Sequence, residues 1–390
     1  MPVRSATDHV AQALALVEPL GVERVPLASA LGRALAEPVR AAADAPPFRT
    51  TSMDGYAVRS NEGAPGLWEV SADVPAGIAP APLAAGTVAR VMTGAPMPDG
   101  ADAVVPVEDT DRGVDRVEIH RWPAAGAFVR EAGEDLHRGD EVLGGARLLR
   151  AVDLAASAAA GAPDVSVVRR PRVGVLITGD EVRPPGSALE PGQIFDASST
   201  TLPALVEEWG GECVGVRVVG DTDQAVVDAL DSLEADLLIT AGGVSAGAYD
   251  VVKSALVPHG VWFGPVAMQP GKPQGLGLWR GVPIVCMPGN PVSVVATFLV
   301  VVAPMMREML RLPSPAVGTA VAGVGWRCPP GRAQLMPVRF EGVRVVPATA
   351  GGSGSHLIGS LAQAEAFAVI AADVSEVLPG DTVGLMGITP

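Results

Sequence analysis

Two glycine-rich stretches and one turn lysine carry the residue types that hold an anion. The first is Asp236-Leu-Leu-Ile-Thr-Ala-Gly-Gly-Val-Ser-Ala-Gly-Ala-Tyr-Asp250. Residues 237–240 read as a buried strand, Gly242, Gly243 and Gly247 break it, and Asp250 stands where a helix N-cap would. A strand that empties into glycines at a helix start leaves main-chain N–H groups unpaired, and the helix dipole adds to their pull on negative charge. Glycine also tolerates positive φ and lets a phosphate come close to the backbone. The same residues would serve a plain βα turn. The second stretch, Met287-Pro-Gly-Asn-Pro-Val-Ser293, repeats the design: Pro288, Gly289 and Asn290 follow a strand-like run at 282–286, and Ser293 opens a long apolar helix. Between them Gln269-Pro-Gly-Lys-Pro273 carries Lys272 at a turn. Together the three point to a phosphate-bearing ligand.

Carboxylates gather around the same place. Thr178-Gly-Asp-Glu181 follows a strand at 173–177, so Asp180 and Glu181 belong at the sheet edge where both glycine turns fall. Asp221 follows a strand at 213–218, and Asp250 closes the first glycine loop. Acids beside a phosphate fit a shared Mg²⁺, which prefers oxygen ligands and takes some from substrate phosphates. Asp180, Asp221 and Asp250 would also serve as turn or helix caps. Two further polar turns, Thr51-Ser-Met-Asp-Gly-Tyr-Ala57 and Arg90-Val-Met-Thr-Gly-Ala-Pro-Met-Pro98, are on chemistry alone as structural as functional. The five histidines have no zinc spacing, and no G-x-S-x-G nucleophile motif occurs.

The chain of 390 residues is too long for one core. Its net charge of −15 argues against nucleic acid and against an anionic membrane. An anionic ligand would be repelled by the chain as a whole, so local donors, a few cations or a divalent ion must hold it. Cys213, Cys286 and Cys328 are far apart, which fits reduced, packed thiols in a cytoplasmic protein. No signal-peptide core opens the sequence, and the apolar run at 294–303 is too short for a membrane span.

The elements that must position these residues are legible from period. Residues 5–18 predict a helix begun at Ser5 or Thr7, 25–27 a strand and 29–36 a short helix. From 40 to 138 repeated prolines cut the chain into short β segments, and 139–160 returns to a helical pattern. From Arg172 strands (173–177, 213–218, 237–240, 282–286) alternate with helices (198–209, 223–233, 251–257, 292–310). That alternation predicts an α/β fold with a mainly parallel sheet, whose ligands sit beyond the carboxyl ends of the strands. After 312 short β runs return, as in a sandwich or barrel.

In order along the chain, Ser52-Met-Asp-Gly-Tyr-Ala57, Met92-Thr-Gly-Ala-Pro96, Gly133-Glu-Asp135, Thr178-Gly-Asp-Glu181, Gly242-Gly-Val-Ser245, Pro270-Gly-Lys-Pro273, Met287-Pro-Gly-Asn-Pro-Val-Ser293 and Gly354-Ser-His356 resemble the MoeA family of molybdopterin molybdenumtransferases, related to the C-terminal domain of gephyrin. The resemblance spans almost the whole chain. It implies a helix at 1–20 packed on the α/β part, a linking part from 21–39 and 139–163, and a small β-rich domain at 40–138. It further implies a molybdopterin-binding domain like that of MoaB and MogA at 164–312, and a barrel-like β domain at 313–390.

As an expectation, such a protein inserts molybdate into adenylylated molybdopterin with Mg²⁺ and releases AMP. It would be a cytoplasmic homodimer with its cleft between subunits, fed by a MogA-type adenylyltransferase. The resemblance assigns catalytic roles to Asp54, Thr93, Asp135, Glu181, Asp250 and Lys272, with the first three reaching the partner's cleft. Substrate would touch Gly242, Gly243, Val244, Ser245, Gly247, Pro288, Gly289, Asn290, Ser293, Arg332 and Ser355, and Glu181, Asp221 and Asp250 would hold the metal. Gln269 stands where some members carry lysine, a contact that Lys253 could supply. For the oxyanion arginine Arg332 and Arg339 both qualify, since Pro337 occupies the direct match. The alternative is a non-catalytic molybdopterin-binding scaffold of the gephyrin type.

Overall fold

The computed structural model describes residues 3–244, 250–314, 318–349 and 352–389. Its centre is a six-stranded sheet in the order Glu212–Val219, Arg172–Thr178, Leu237–Ala241, Val282–Met287, Pro273–Trp279, Trp262–Pro265. The first four strands run parallel. They are apolar throughout because both faces are covered: Val173, Val175 and Ile239 face one core, Leu176 and Leu238 the other. The helix Ser198–Glu208 lies on the first face, and Asp223–Asp231 with Val251–Leu256 on the second.

Of the last two strands, Pro273–Trp279 runs antiparallel to both its neighbours, which the βα alternation does not predict. Their glycines hide them. A Cβ on Gly275 would lie 2.5 Å from the Phe263 ring, and one on Gly277 would lie 2.9 Å from the Val261 backbone. Both are glycine because a neighbour comes too close for anything larger.

The long apolar helix runs from Pro291 to Met309 as α, π and α turns. Pro304 cannot donate to the turn before it, and the widened π turn just ahead absorbs that loss. The stretch has the length and hydropathy of a membrane span, but 78% of it is buried within the fold. The N-terminal helix Ala6–Leu14 starts at Ser5, whose Oγ accepts the Asp8 N–H at 3.0 Å. Its Ala13 sits in the same core as Phe298 and Met305.

Two expected helices are corrected. Residues 29–36 are not helical: a single 3-10 turn, Leu27–Ser29, and Gly32 at φ +70° lead into the strand Ala34–Leu35. Of 139–160 only Ala151–Ala159 is helical, preceded by the short strands Glu141–Leu143 and Arg147–Leu148. In both places pairing with distant strands, among them Asp164–Val168, overrides local propensity.

The proline-rich region forms a five-stranded sheet, in the order Ala103–Pro106, Gly55–Val58, Thr87–Val91, Gly66–Val74, Arg116–Ile119. Near the C-terminus Ala333–Glu341, Arg344–Pro347, Gly318–Ala322, Thr382–Gly387 and Ala366–Ile370 pair in a ring and close a five-stranded barrel. Met268–Gln269, a strand from the central domain, pairs in parallel with the start of Ala333–Glu341 and ties the barrel to the sheet.

Candidate active site

A cavity of about 700 Å³ opens at the carboxyl ends of the three central parallel strands, with Thr178, Ala241 and Pro288 at its floor. Two glycine turns meet there. The Gly242 N–H donates to the Met287 carbonyl at 3.1 Å, and a Cβ on Gly289 would touch the Gly242 Cα at 3.4 Å. Gly242 and Gly243 adopt φ of +99° and +64°, and a Cβ on Gly242 would lie 2.5 Å from the Thr178 carbonyl oxygen. Glycine is obligatory at 242 on both counts. Val244 also lines the cavity and is buried in the core behind it. Ser245 and Gly247 lie outside the described residues.

Asp250 does occupy the N-cap of Val251–Leu256, without a side-chain bond to that helix. The helix is only six residues long, so its dipole is weaker than the sequence pattern suggests. Glu181, Asp221 and Asp250 all line the cavity. Asp221 is partly a brace: its Oδ2 accepts the Asp180 N–H at 3.1 Å, and the Asp180 Oδ1 accepts the Asp221 N–H at 3.3 Å. Among the described residues no three His, Cys, Asp or Glu side chains gather into a metal cluster. The carboxylates offer only oxygen, and they stand apart around an open space. That donor set suits Mg²⁺ that completes its shell with substrate oxygens, and does not suit a closed protein cage.

Cationic groups come from two domains. Lys272 sits on the turn after the cis Gln269–Pro270 bond, with its carbonyl accepting the Val266 N–H at 2.7 Å. Arg332 and Ser355 reach the same cavity from the C-terminal domain, and the Asn290 Nδ2 donates to the Ser355 Oγ at 2.9 Å. Ser293 lines the wall beside Asn290. Of the two candidate arginines, only Arg332 lines the cavity; Arg339 pairs with Glu341 at 2.6 Å, and Pro337 is built into the barrel opposite Phe367. Gln269 also lines the wall, whereas Lys253 does not.

Asp54, Thr93 and Asp135 do not line this cavity. They belong to the proline-rich β region, where the Asp54 Oδ1 accepts the Thr93 N–H at 2.7 Å and its hydroxyl at 2.8 Å. Those two bonds, the backbone one first, hold the Asp54 carboxyl below the usual carboxylate range. The Asp135 N–H donates to the Ala45 carbonyl at 3.0 Å. A single chain keeps all three apart from Lys272.

Sequence reasoning missed the segment Ile194-Phe-Asp-Ala-Ser198, which also lines the cavity. Ile194 and Phe195 are half exposed there, and the Asp196 Oδ1 accepts the Ser199 N–H at 2.9 Å to start the helix Ser198–Glu208. An Asp followed three residues later by helix-starting serine was a readable cap signal. The Thr178 Oγ1, at the floor, is buried without a hydrogen-bond partner. Cys286 is buried under the floor, which pushes its thiol up to about 12 and leaves it inert.

Comparison with known proteins divides the chain into three matched regions. Residues 1–161 match the MoeA N-terminal region (domain I and II), 174–308 a probable molybdopterin binding domain, and 319–386 the MoeA C-terminal region (domain IV). Molybdopterin molybdenumtransferase 2 of Mycobacterium tuberculosis is 39% identical, covering 99% of this chain and 100% of that relative. Molybdopterin molybdenumtransferase of Nostoc sp. is 38% identical over 74% of this chain and 69% of its own length. The crystal structure of the molybdopterin biosynthesis MoeA protein from Pyrococcus horikoshii superimposes with a TM-score of 0.81 at 28% identity, over 98% of this chain and 99% of that one.

Proposed function

Since the chain belongs to the MoeA family and is a molybdopterin molybdenumtransferase of molybdenum cofactor biosynthesis, we propose that its cavity takes adenylylated molybdopterin and molybdate, transfers molybdenum to the pterin and releases AMP. One observation carries this reading: two glycine turns abut at the ends of parallel strands, and the cavity they line is also lined by both Lys272 and Arg332. Main-chain amides of the turns bind the phosphate end of the pterin, as suits an acidic chain with few cations to spend. Lys272 neutralises phosphate charge, and Arg332 with Ser355 orients the oxyanion. Glu181, Asp221 and Asp250 would hold Mg²⁺, which when bound supplies Lewis-acid polarisation of the phosphoanhydride. Phe195 and Ile194 offer an apolar lip on which a flat ring can lie.

In this reading the functional unit is a homodimer, with Asp54, Thr93 and Asp135 completing the cleft of the partner. Dimer-dependent activity follows from it. The test is AMP release by the purified chain from adenylylated molybdopterin, expected only with molybdate present and lost on chelation of divalent cations. Pterin binding without AMP release under full conditions would instead favour a non-catalytic carrier.

A further inference from the structure

Behind the Lys272 turn lies a buried polar layer that plays no part in the chemistry above. Gln274 is fully buried, and its Nε2 donates to the carbonyl of Gly271 at 2.7 Å, one residue before Lys272. His9, from the helix Ala6–Leu14, is fully buried beside it. The His9 Nδ1 lies 3.1 Å from an Arg4 guanidinium nitrogen. Arginine only donates, so Nδ1 accepts and the ring proton sits on Nε2. Burial first and the Arg4 charge second hold the imidazole down to about 4, so His9 stays neutral; its Nε2 and the Gln274 Oε1 are both buried, and neither makes a hydrogen bond. The layer is thus a line bonded at its two ends, Arg4 to His9 and Gln274 to the Gly271 carbonyl.

The ends of this line are fixed. Arg4 lies 3.5 Å over the Trp262 ring, and the His9 ring packs on the same indole at 5.5 Å. Gly271, at φ +106°, is pressed against the buried Thr297, whose Oγ1 would meet an added Cβ at 2.9 Å. Main-chain bonds continue the contact on both sides. Ala267 N–H donates to the Arg4 carbonyl at 2.8 Å, Val266 N–H to the Lys272 carbonyl at 2.7 Å, and Ala333 N–H to the Ala267 carbonyl at 2.9 Å. The N-terminal segment therefore touches the one strip of chain that holds the backbones of Lys272 and of the residue after Arg332.

A lysine side chain is long and flexible, so the region its ammonium can reach is set by its backbone. A buried glutamine costs desolvation that a leucine of similar size would not, unless its bonds fix something worth fixing. We propose that Gln274 is a positioning residue: its bond fixes the Gly271 carbonyl and so aims Lys272 across the cavity at the anionic end of the substrate. The substrate half of this statement rests on the function proposed above; the positioning half does not.

Gln274→Leu removes the donor at nearly constant volume, Gln274→Glu restores one when the buried carboxyl is protonated, and Gln274→Met is a milder change should the leucine variant fail to fold. Two readouts are taken on the full-length protein: exchange of the Val266 amide proton, and steady-state turnover of adenylylated molybdopterin. Gln274→Leu is expected to speed Val266 exchange by about tenfold, leaving Arg172–Thr178 protected, and to raise KM by about tenfold with kcat within about twofold. Gln274→Glu is expected to recover most of both. Wild-type exchange at Val266 in both the Gln274→Leu and Gln274→Met proteins overturns the proposal, whatever the chain turns over. Faster exchange in a protein whose wild type leaves adenylylated molybdopterin untouched supports the positioning role and sinks only the substrate.

Discussion

Asp54 shows how much a single exposed carboxylate can be pre-set by one neighbour. Its Oδ1 accepts both the main-chain N–H and the hydroxyl of Thr93, and these bonds favour the charged form. Thr93→Val removes the hydroxyl but keeps the backbone donor. The Asp54 pKa is then expected to rise toward the ordinary carboxylate value without reaching it, as followed by a carboxyl-carbon NMR titration. The sign of the linked stability follows: with the folded value lowered, Asp54 favours the folded state above its unfolded pKa, and that contribution disappears as pH falls through the folded value. An Asp54 titration indifferent to Thr93 would leave the pairing without consequence. At this scale the sequence was informative about identities and poor about choices. Lys272, Glu181 and Asp250 were readable from turn chemistry. Arg332 over Arg339 was not, because the choice depends on the turn before a barrel strand meeting another domain while Arg339, within the strand, pairs with Glu341.

Elements were most legible where burial on both faces forces unbroken apolar runs, as in Arg172–Thr178 and Leu237–Ala241, and least where pairing partners are far away in sequence. Ala34–Leu35 is held by Val167 and Val168, a contact no local window contains. Pro273–Trp279 was invisible because its glycines answer to neighbours, not to turns. The glycine turn at 242 allows a comparison between backbone strain and steric clash. Gly260 and Gly242 both adopt positive φ, +85° and +99°, but a Cβ on Gly260 meets nothing within 4 Å, while one on Gly242 strikes the Thr178 carbonyl. Gly260→Ala should cost about 1 kcal/mol for conformation alone. Gly242→Ala should cost about 2–4 kcal/mol and displace the turn from Gly289, abolishing ligand binding. Urea denaturation of the two variants side by side is the check, and equal losses would mean that the floor yields to accommodate a methyl group.

The molecule as a whole works against its own ligand. In the function proposed above, a net charge of −15 would repel an anionic pterin and molybdate at long range, while Lys272, Arg332 and the turn amides would attract them only inside the cavity. That cavity exists because Met268–Gln269 leaves the central domain to pair with the barrel, bringing Arg332 and Ser355 to turns built a domain away. The charge balance was plain in the sequence; the two-residue pairing that assembles the site was not. Long-range repulsion and short-range attraction separate in their response to salt. From ~10 mM to ~150 mM salt the Debye length shrinks from about 30 to about 8 Å, which screens the whole-chain field but not contacts within the cavity. The association rate of a fluorescent adenylate should therefore rise with salt by about two- to fivefold, the reverse of an electrostatically steered pair. Lys272→Met should leave that slope nearly unchanged and raise the dissociation rate, because the lysine acts only on a ligand already inside. An association rate that falls with salt would mean that a local positive field at the cavity mouth outweighs the net charge of the chain, and stopped-flow mixing at four or five salt concentrations distinguishes the two.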